Sequence, residues 1–228
     1  MKELNHTGDQ AAGEPAESAH ALSTLRRVDD LAALMRSRRS VRQYQDIPVP
    51  HDLLHQMIEA ARWAPSPHGR QPWRFAVLTR TTPKQQLADA MGQTWQQNLE
   101  MDGQAPDIVA LRMEKSRQRI LQAPAIILPC LYLEDLDQYP DAQRQADEKT
   151  MAVQSIGAAI QNMLLTAYEL GLDTGWMCAP LFCPEVACAA LDLDSRLIPQ
   201  ALITVGYAAA DPKRRPRLPL DSLIVRFD

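Results

Sequence analysis

Apolar residues recur at helical spacing in some stretches of this chain and form short unbroken runs in others, a pattern that predicts helices laid against buried strands. Leu31, Leu34 and Met35 predict a short first helix, which Asp29 would cap. After Pro50, the residues Leu53, Leu54, Met57, Ile58 and Ala61 form the apolar stripe of a second helix with Asp52 in its first turn. Pro65 ends that helix, because the residue before a proline avoids the helical region. Phe75–Leu78 and Ala125–Leu133 predict buried strands, and Gln200–Tyr207 the last core strand. Between them, Lys149–Leu170 predicts the central helix, with Ile156, Ile160, Met163, Leu164 and Ala167 on one side and Gly171 as its stop. Along it Gly157, Ala158 and Ala159 leave room for another helix to approach. Asp173–Ala179 predicts a strand followed by a loop, and Pro184 opens a helix that ends near Leu191.

Other stretches carry weaker patterns. Pro83–Met101 and Pro106–Leu121 predict polar, Gln-rich helices with scattered large apolar residues, so about 93–121 is expected to act as a helical lid. Glu134–Asp147 is expected to be an acidic loop. Residues 1–27 are polar without apolar period and predict a disordered leader, leaving 28–228 as a single domain. At the other end, 211–228 is a basic, proline-rich arm whose Ser222–Phe227 segment could form one more strand.

Composition narrows the classes. The chain of 228 residues carries a net charge of −4, which argues against nucleic-acid binding. No apolar run reaches the length of a membrane span. The N-terminus lacks a signal-peptide pattern, so the four cysteines are expected to be reduced and the location cytoplasmic. Cys178, Cys183 and Cys188 lack CxxC spacing and are expected to be small buried residues. His51 and His55 share a helix face without a third ligand, so no metal site is expected.

The stretch from Arg36 to Phe75 carries the chemistry. Arg38, Arg39, Ser40 and Arg42 place three guanidiniums and a hydroxyl within five residues, enough to surround one phosphate with forked donors. Such a run at a helix end is ordinarily solvated surface, favoured there by the helix dipole. The proline-punctuated turn that follows, APSPHGRQPWRF, changes that weighting.

RRSVR, then a helix, then this turn resembles the start of the nitroreductase family, the FMN-dependent NAD(P)H oxidoreductases. The resemblance extends from about Asp30 to the end of the chain. It implies an α+β, nitroreductase-like fold: a central mixed sheet flanked by helices, with the C-terminal arm and strand exchanged in a homodimer. It assigns the FMN phosphate to Arg38, Arg39, Ser40 and Arg42, joined by Arg217 and its neighbour Arg215 from the arm. The turn of Pro65, Ser66 and Pro67, with His68 and Gln71, is similar to the family segment that reaches across the dimer to the flavin. Backbone N–H groups of Met177, Cys178 and Ala179 fall where the family contacts flavin N5, although Cys178-Ala179 replaces the Glu-Gly of some members. Asn98, Lys115 and Arg117 are candidates for the N1 side of the ring, and Trp95 and Trp176 for a substrate wall, or else simply core or interface tryptophans. No catalytic acid or base stands out, which suits hydride chemistry carried by the cofactor. The implied activity is ping-pong transfer of hydride from NAD(P)H through FMN to an electron-poor small molecule such as a nitroaromatic or quinone. The alternatives are a flavin-storage protein without turnover and a flavin-cleaving enzyme like dimethylbenzimidazole synthase.

Overall fold

The structure, a computed structural model, describes residues 31–212 and 214–228. Both the expected leader and the Asp29 cap lie outside the described residues.

The sheet carries strands in the order β1-β2-β5-β3, where β1 is Trp73–Leu78, β2 Ala125–Tyr132, β3 Asp173–Met177 and β5 Leu202–Gly206. A short β4, Leu197–Pro199, pairs with the end of β2. All pairings between these strands are antiparallel, with Ala125 opposite Val205 and Thr174 opposite Val205. The parallel component of the expected mixed sheet comes from one isolated bridge, Ser40 to Thr174, at the free edge of β3.

Alternation along the strands explains why β2 reads as an unbroken apolar run. Ile127 and Leu131 point to one face, and Ile126, Leu128 and Cys130 to the other, and both faces are covered. On the first face lie α2 (His51–Arg62) and the long α5 (Ala142–Glu169). They bury Met57 and Ala61 against Ile156, Ile160 and Met163. Truncating Ile160 or Met163 to alanine there would cost about 2–5 kcal/mol. The second face is covered by α3 (Thr81–Met101), α4 (Pro106–Leu121) and α6 (Pro184–Ala190). The first helix, α1, spans Leu31–Ser37 and delivers the chain to the arginine run.

Several expectations are corrected. α5 begins at Ala142 rather than Lys149, because the Asp141 side chain accepts a hydrogen bond from the Arg144 amide at 2.9 Å and caps it. The last part of the expected acidic loop, 142–147, is therefore helix, and the residue after it, Glu148, is buried with an Oε2 that has no partner among the described residues. α3 is not purely a cover: Leu87, Ala88 and Met91 are core, and exposure increases in the part expected as lid, at Met101 and Leu111. Gly157 has open space beyond it rather than an approaching helix of the same chain. Within the single chain Ser222–Phe227 is not a strand: Leu220–Leu223 forms a 3-10 turn, and the rest pairs with no described strand. The resemblance gave this segment the sheet of a second copy to join, which a single chain does not contain. Its Val225 and Phe227 side chains stand fully in solvent.

Among the described residues, no helix is long and apolar enough to cross a membrane.

Candidate functional site

Beyond the β3 edge, the chain from Arg38 to Gln45 runs as an irregular extra strand. The Val41 amide donates to the Thr174 carbonyl at 2.8 Å, with the Val41 side chain buried beneath. Further on, Gln45 N donates to Tyr207 O at 2.8 Å and Ala209 N to Gln43 O at 3.0 Å, which binds this segment to the exit of β5. Gly175 makes the close approach possible: a Cβ there would sit 2.4 Å from the Val41 carbonyl oxygen.

The same stapling brings the two ends of the chain together. Arg38, Arg39, Ser40 and Arg42 line one cleft with Arg214, Arg215 and Arg217 of the arm, enclosing about 640 Å³. Met35 and Arg36 complete the lining. None of its described lining residues is acidic. The Arg39 guanidinium donates to the carbonyls of Arg36 and Arg38. Arg38 bears the crowding most. Partial burial, then the charges of Arg217 and Arg39, hold its proton affinity below the ordinary guanidinium range. Guanidiniums gathered along one cleft can receive an anion, and their forks match the oxygens of a phosphate.

The proline turn lies elsewhere. Pro65, Ser66 and Pro67 face Met151, Gln154, Ser155 and Ala158 of α5 across a shallow cleft of about 320 Å³. His68 (φ 52°) and Gln71 (φ 50°) both adopt the left-handed conformation beside Gly69 (φ 65°), which is costly for the two non-glycine residues. Three interactions hold them there. The Gln71 amide donates to Ser66 Oγ at 3.0 Å, the Arg70 guanidinium pairs with Asp137 at 2.5 Å, and His68 Nε2 lies 3.9 Å from the same carboxylate. No residue of this turn lines the arginine cleft of its own chain.

Met177 ends β3, and Ala179 opens a 3-10 turn, Ala179–Phe182. Cys178 between them is exposed, which corrects the expectation that it is buried; Cys183 and Cys188 are buried. Burial pushes the Cys183 and Cys188 thiols up, and that of Cys130 up to about 12. Trp95 and Trp176 are each about one-third exposed, 37 %, so neither is a core tryptophan. Arg117, one of the N1 candidates, is engaged with Asp89 at 2.9 Å. His51 and His55 border a small cavity of about 220 Å³ with apolar neighbours. Among the described residues no group of three or more His, Cys, Asp and Glu could hold a metal ion.

Sequence reasoning missed Arg36, Arg214, Asp137 and the Tyr44–Thr204 contact. Arg214 was visible within RRPR and Arg36 at the head of RSRR; Asp137 and the Tyr44–Thr204 contact carry no local signal, since their partners are distant in sequence.

The nitroreductase family profile matches residues 35–207, and the chain belongs to that family. A relative from Thermus thermophilus named NADH dehydrogenase is 31% identical over 198 residues, covering 82% of this chain and 91% of its own. Among solved structures, a Desulfovibrio desulfuricans protein described as a nitroreductase in complex with FMN is 27% identical, with a TM-score of 0.66 over 86% of this chain and 96% of that one. A BluB-like flavoprotein of Clostridium difficile shares the fold at a TM-score of 0.72, with 24% identity over 87% of this chain and 99% of that one.

Proposed function

We propose that the chain is an FMN-dependent NAD(P)H oxidoreductase that reduces an electron-poor small molecule, of the nitroaromatic or quinone kind, as a cytoplasmic homodimer. The observation that carries this reading is the arginine cleft, which Arg38, Arg39 and Arg42 line together with Arg215 and Arg217 of the arm. These residues fit a phosphate monoester dianion: Arg38, Arg39, Arg42, Arg215 and Arg217 neutralise it, and the Ser40 hydroxyl adds a neutral donor. Bound FMN supplies hydride acceptance and release at its ring.

The remaining residues orient and shield. In this reading the backbone amides of Met177, Cys178 and Ala179, where β3 ends and the 3-10 turn begins, face the ring edge. Pro65, Ser66, Pro67, His68 and Gln71 do not reach the cleft of their own chain, so in this reading they serve the cleft of a second copy. The arm supports the same arrangement, since its Leu218, Leu220, Leu223, Val225 and Phe227 are exposed on a single chain. Trp95 and Trp176, partly exposed, are available as walls for a planar substrate. No acid or base of the chain is required for hydride transfer.

The test is anaerobic reduction. Purified protein reconstituted with FMN should bleach on addition of NADH or NADPH and regain its colour with a quinone or nitroaromatic. Bound flavin that neither donor bleaches would point instead to storage. Flavin destroyed irreversibly when oxygen is admitted would point to the flavin-cleaving chemistry. Failure to bind FMN at all would overturn the proposal.

A further inference from the structure

The arginine cleft poses a mechanical problem. Its guanidiniums repel one another, and none of the described lining residues is acidic. Other contacts help to hold the N-terminal segment and the arm in register. Backbone hydrogen bonds from Val41 and Gln45 do part of this. One side chain adds to them from beneath. Tyr44 is partly buried, forms a bridge with Ala208, and places its hydroxyl 2.7 Å from Thr204 Oγ1 and 3.0 Å from the Val41 carbonyl oxygen. Two orders satisfy this relay: Thr204 Oγ1 donates to Tyr44, which donates to Val41 O, or Tyr44 donates to Thr204 Oγ1, which donates to the Gly175 carbonyl at 3.3 Å. Burial raises the Tyr44 hydroxyl above the ordinary phenol range, which favours its protonated, hydrogen-bonding form.

The surroundings leave the relay no slack. A Cβ on Gly175 would lie 2.6 Å from Thr204 Oγ1, and one on Gly206 would lie 2.9 Å from the Tyr44 ring. Asp173 Oδ2 accepts from the Ala208 amide at 3.2 Å, which fixes the backbone that Tyr44 pairs with, just before the arm leaves the sheet. Val41 lies between Ser40 and Arg42, and Ala208 lies three residues before Asp211.

We infer that Tyr44 is a positioning residue for the arginine cleft: its hydroxyl, held between Thr204 and the Val41 carbonyl, sets the guanidiniums of Arg38, Arg39 and Arg42 against those of the arm. This rests on the proposed flavin reading of the cleft, and it predicts an effect specific to the phosphate end of the ligand.

The experiment titrates the full-length apoprotein with FMN and with riboflavin, which lacks the phosphate, following flavin fluorescence. Wild type should bind FMN more tightly than riboflavin. Tyr44→Phe should weaken FMN binding about tenfold, the worth of one net hydrogen bond, and change riboflavin binding by less than about twofold. Thr204→Val should act in the same direction, and the double variant should be no worse than Tyr44→Phe alone, because both break one chain of bonds. Thermal melts establish that each variant is folded, and Thr204→Val carries the test if Tyr44→Phe does not fold. A purely structural role would weaken both ligands equally or neither, and either result overturns the inference. A wild type that does not distinguish FMN from riboflavin overturns it together with the phosphate reading of the cleft. A wild-type preference that survives unchanged in both variants overturns the role of Tyr44 alone.

Discussion

Replacing Arg38 by alanine should have opposite effects on the empty and the loaded protein. In the empty cleft Arg38 is partly buried and repelled by Arg217 and Arg39, and these effects depress its proton affinity. Removing it relieves that repulsion, so the apoprotein should melt at the same temperature or slightly higher. In the proposed loaded cleft the same guanidinium would donate to a phosphate. A hydrogen bond to a charged group is worth about 1.5–3 kcal/mol, so the FMN dissociation constant should rise roughly ten- to a hundredfold. The stabilisation that FMN confers on melting should shrink in step, since a ligand stabilises in proportion to the logarithm of its concentration over its dissociation constant. Fluorescence titration at fixed ionic strength reads the first quantity and thermal melts with and without FMN read the second. Added salt should narrow the gap between variant and wild type, because it screens what Arg38 contributes. An apoprotein destabilised by several degrees with unchanged FMN affinity would show that Arg38 is a structural residue, and the reasoning would fail.

Other outcomes follow from the same geometry. Gly175→Ala should destabilise the fold by about 1–3 kcal/mol, since its Cβ would stand 2.4 Å from the Val41 oxygen between two fixed backbones; urea denaturation measures this, and an unchanged midpoint would mean that the Arg38–Gln45 segment moves freely. Deleting the chain from Asp211 onward should give monomeric or insoluble protein that no longer retains FMN, and a soluble, dimeric, flavin-bound truncation would contradict the role given to the arm. In native protein a thiol reagent at pH 8 should modify Cys178 rapidly and the other three cysteines only on unfolding, because those three are buried. Burial pushes the Cys130 thiol up to about 12 in the folded state, above an unfolded thiol, so above about pH 8.5 the unfolded chain binds fewer protons. Its contribution is therefore present at neutral pH and lost as pH rises toward 12, and Cys130→Ala should flatten the alkaline fall in stability.

How much of this was legible beforehand depended on whether a signal was local. The α2 stripe and the β2 run state their burial in their own residues, and both formed where the pattern predicted. The start of α5 was misread because its charged residues look like loop, while the decisive signal was a single aspartate, Asp141, placed to cap them. The C-terminal strand is a different case. The resemblance has it join the sheet of a second copy, so the single chain, where Leu220–Leu223 is a 3-10 turn, does not test it. The arginine cleft was legible in parts. The N-terminal cluster reads directly, but its meeting with Arg215 and Arg217 was implied only by the family resemblance. Contacts such as Tyr44 with Thr204, 160 residues apart, leave no trace in a local pattern. Nor did the turn betray that His68 and Gln71, rather than Gly69 alone, would take positive φ.

The central claim is that guanidiniums from both ends of the domain hold the phosphate of a flavin. A crystal structure of the protein with FMN tests it most directly. The account predicts phosphate oxygens about 2.7–2.9 Å from guanidinium nitrogens of both Arg38 and Arg217, the distance of a charge-assisted hydrogen bond. A flavin whose phosphate lies in solvent or against other side chains, with the arginine cleft empty of it, would contradict the account.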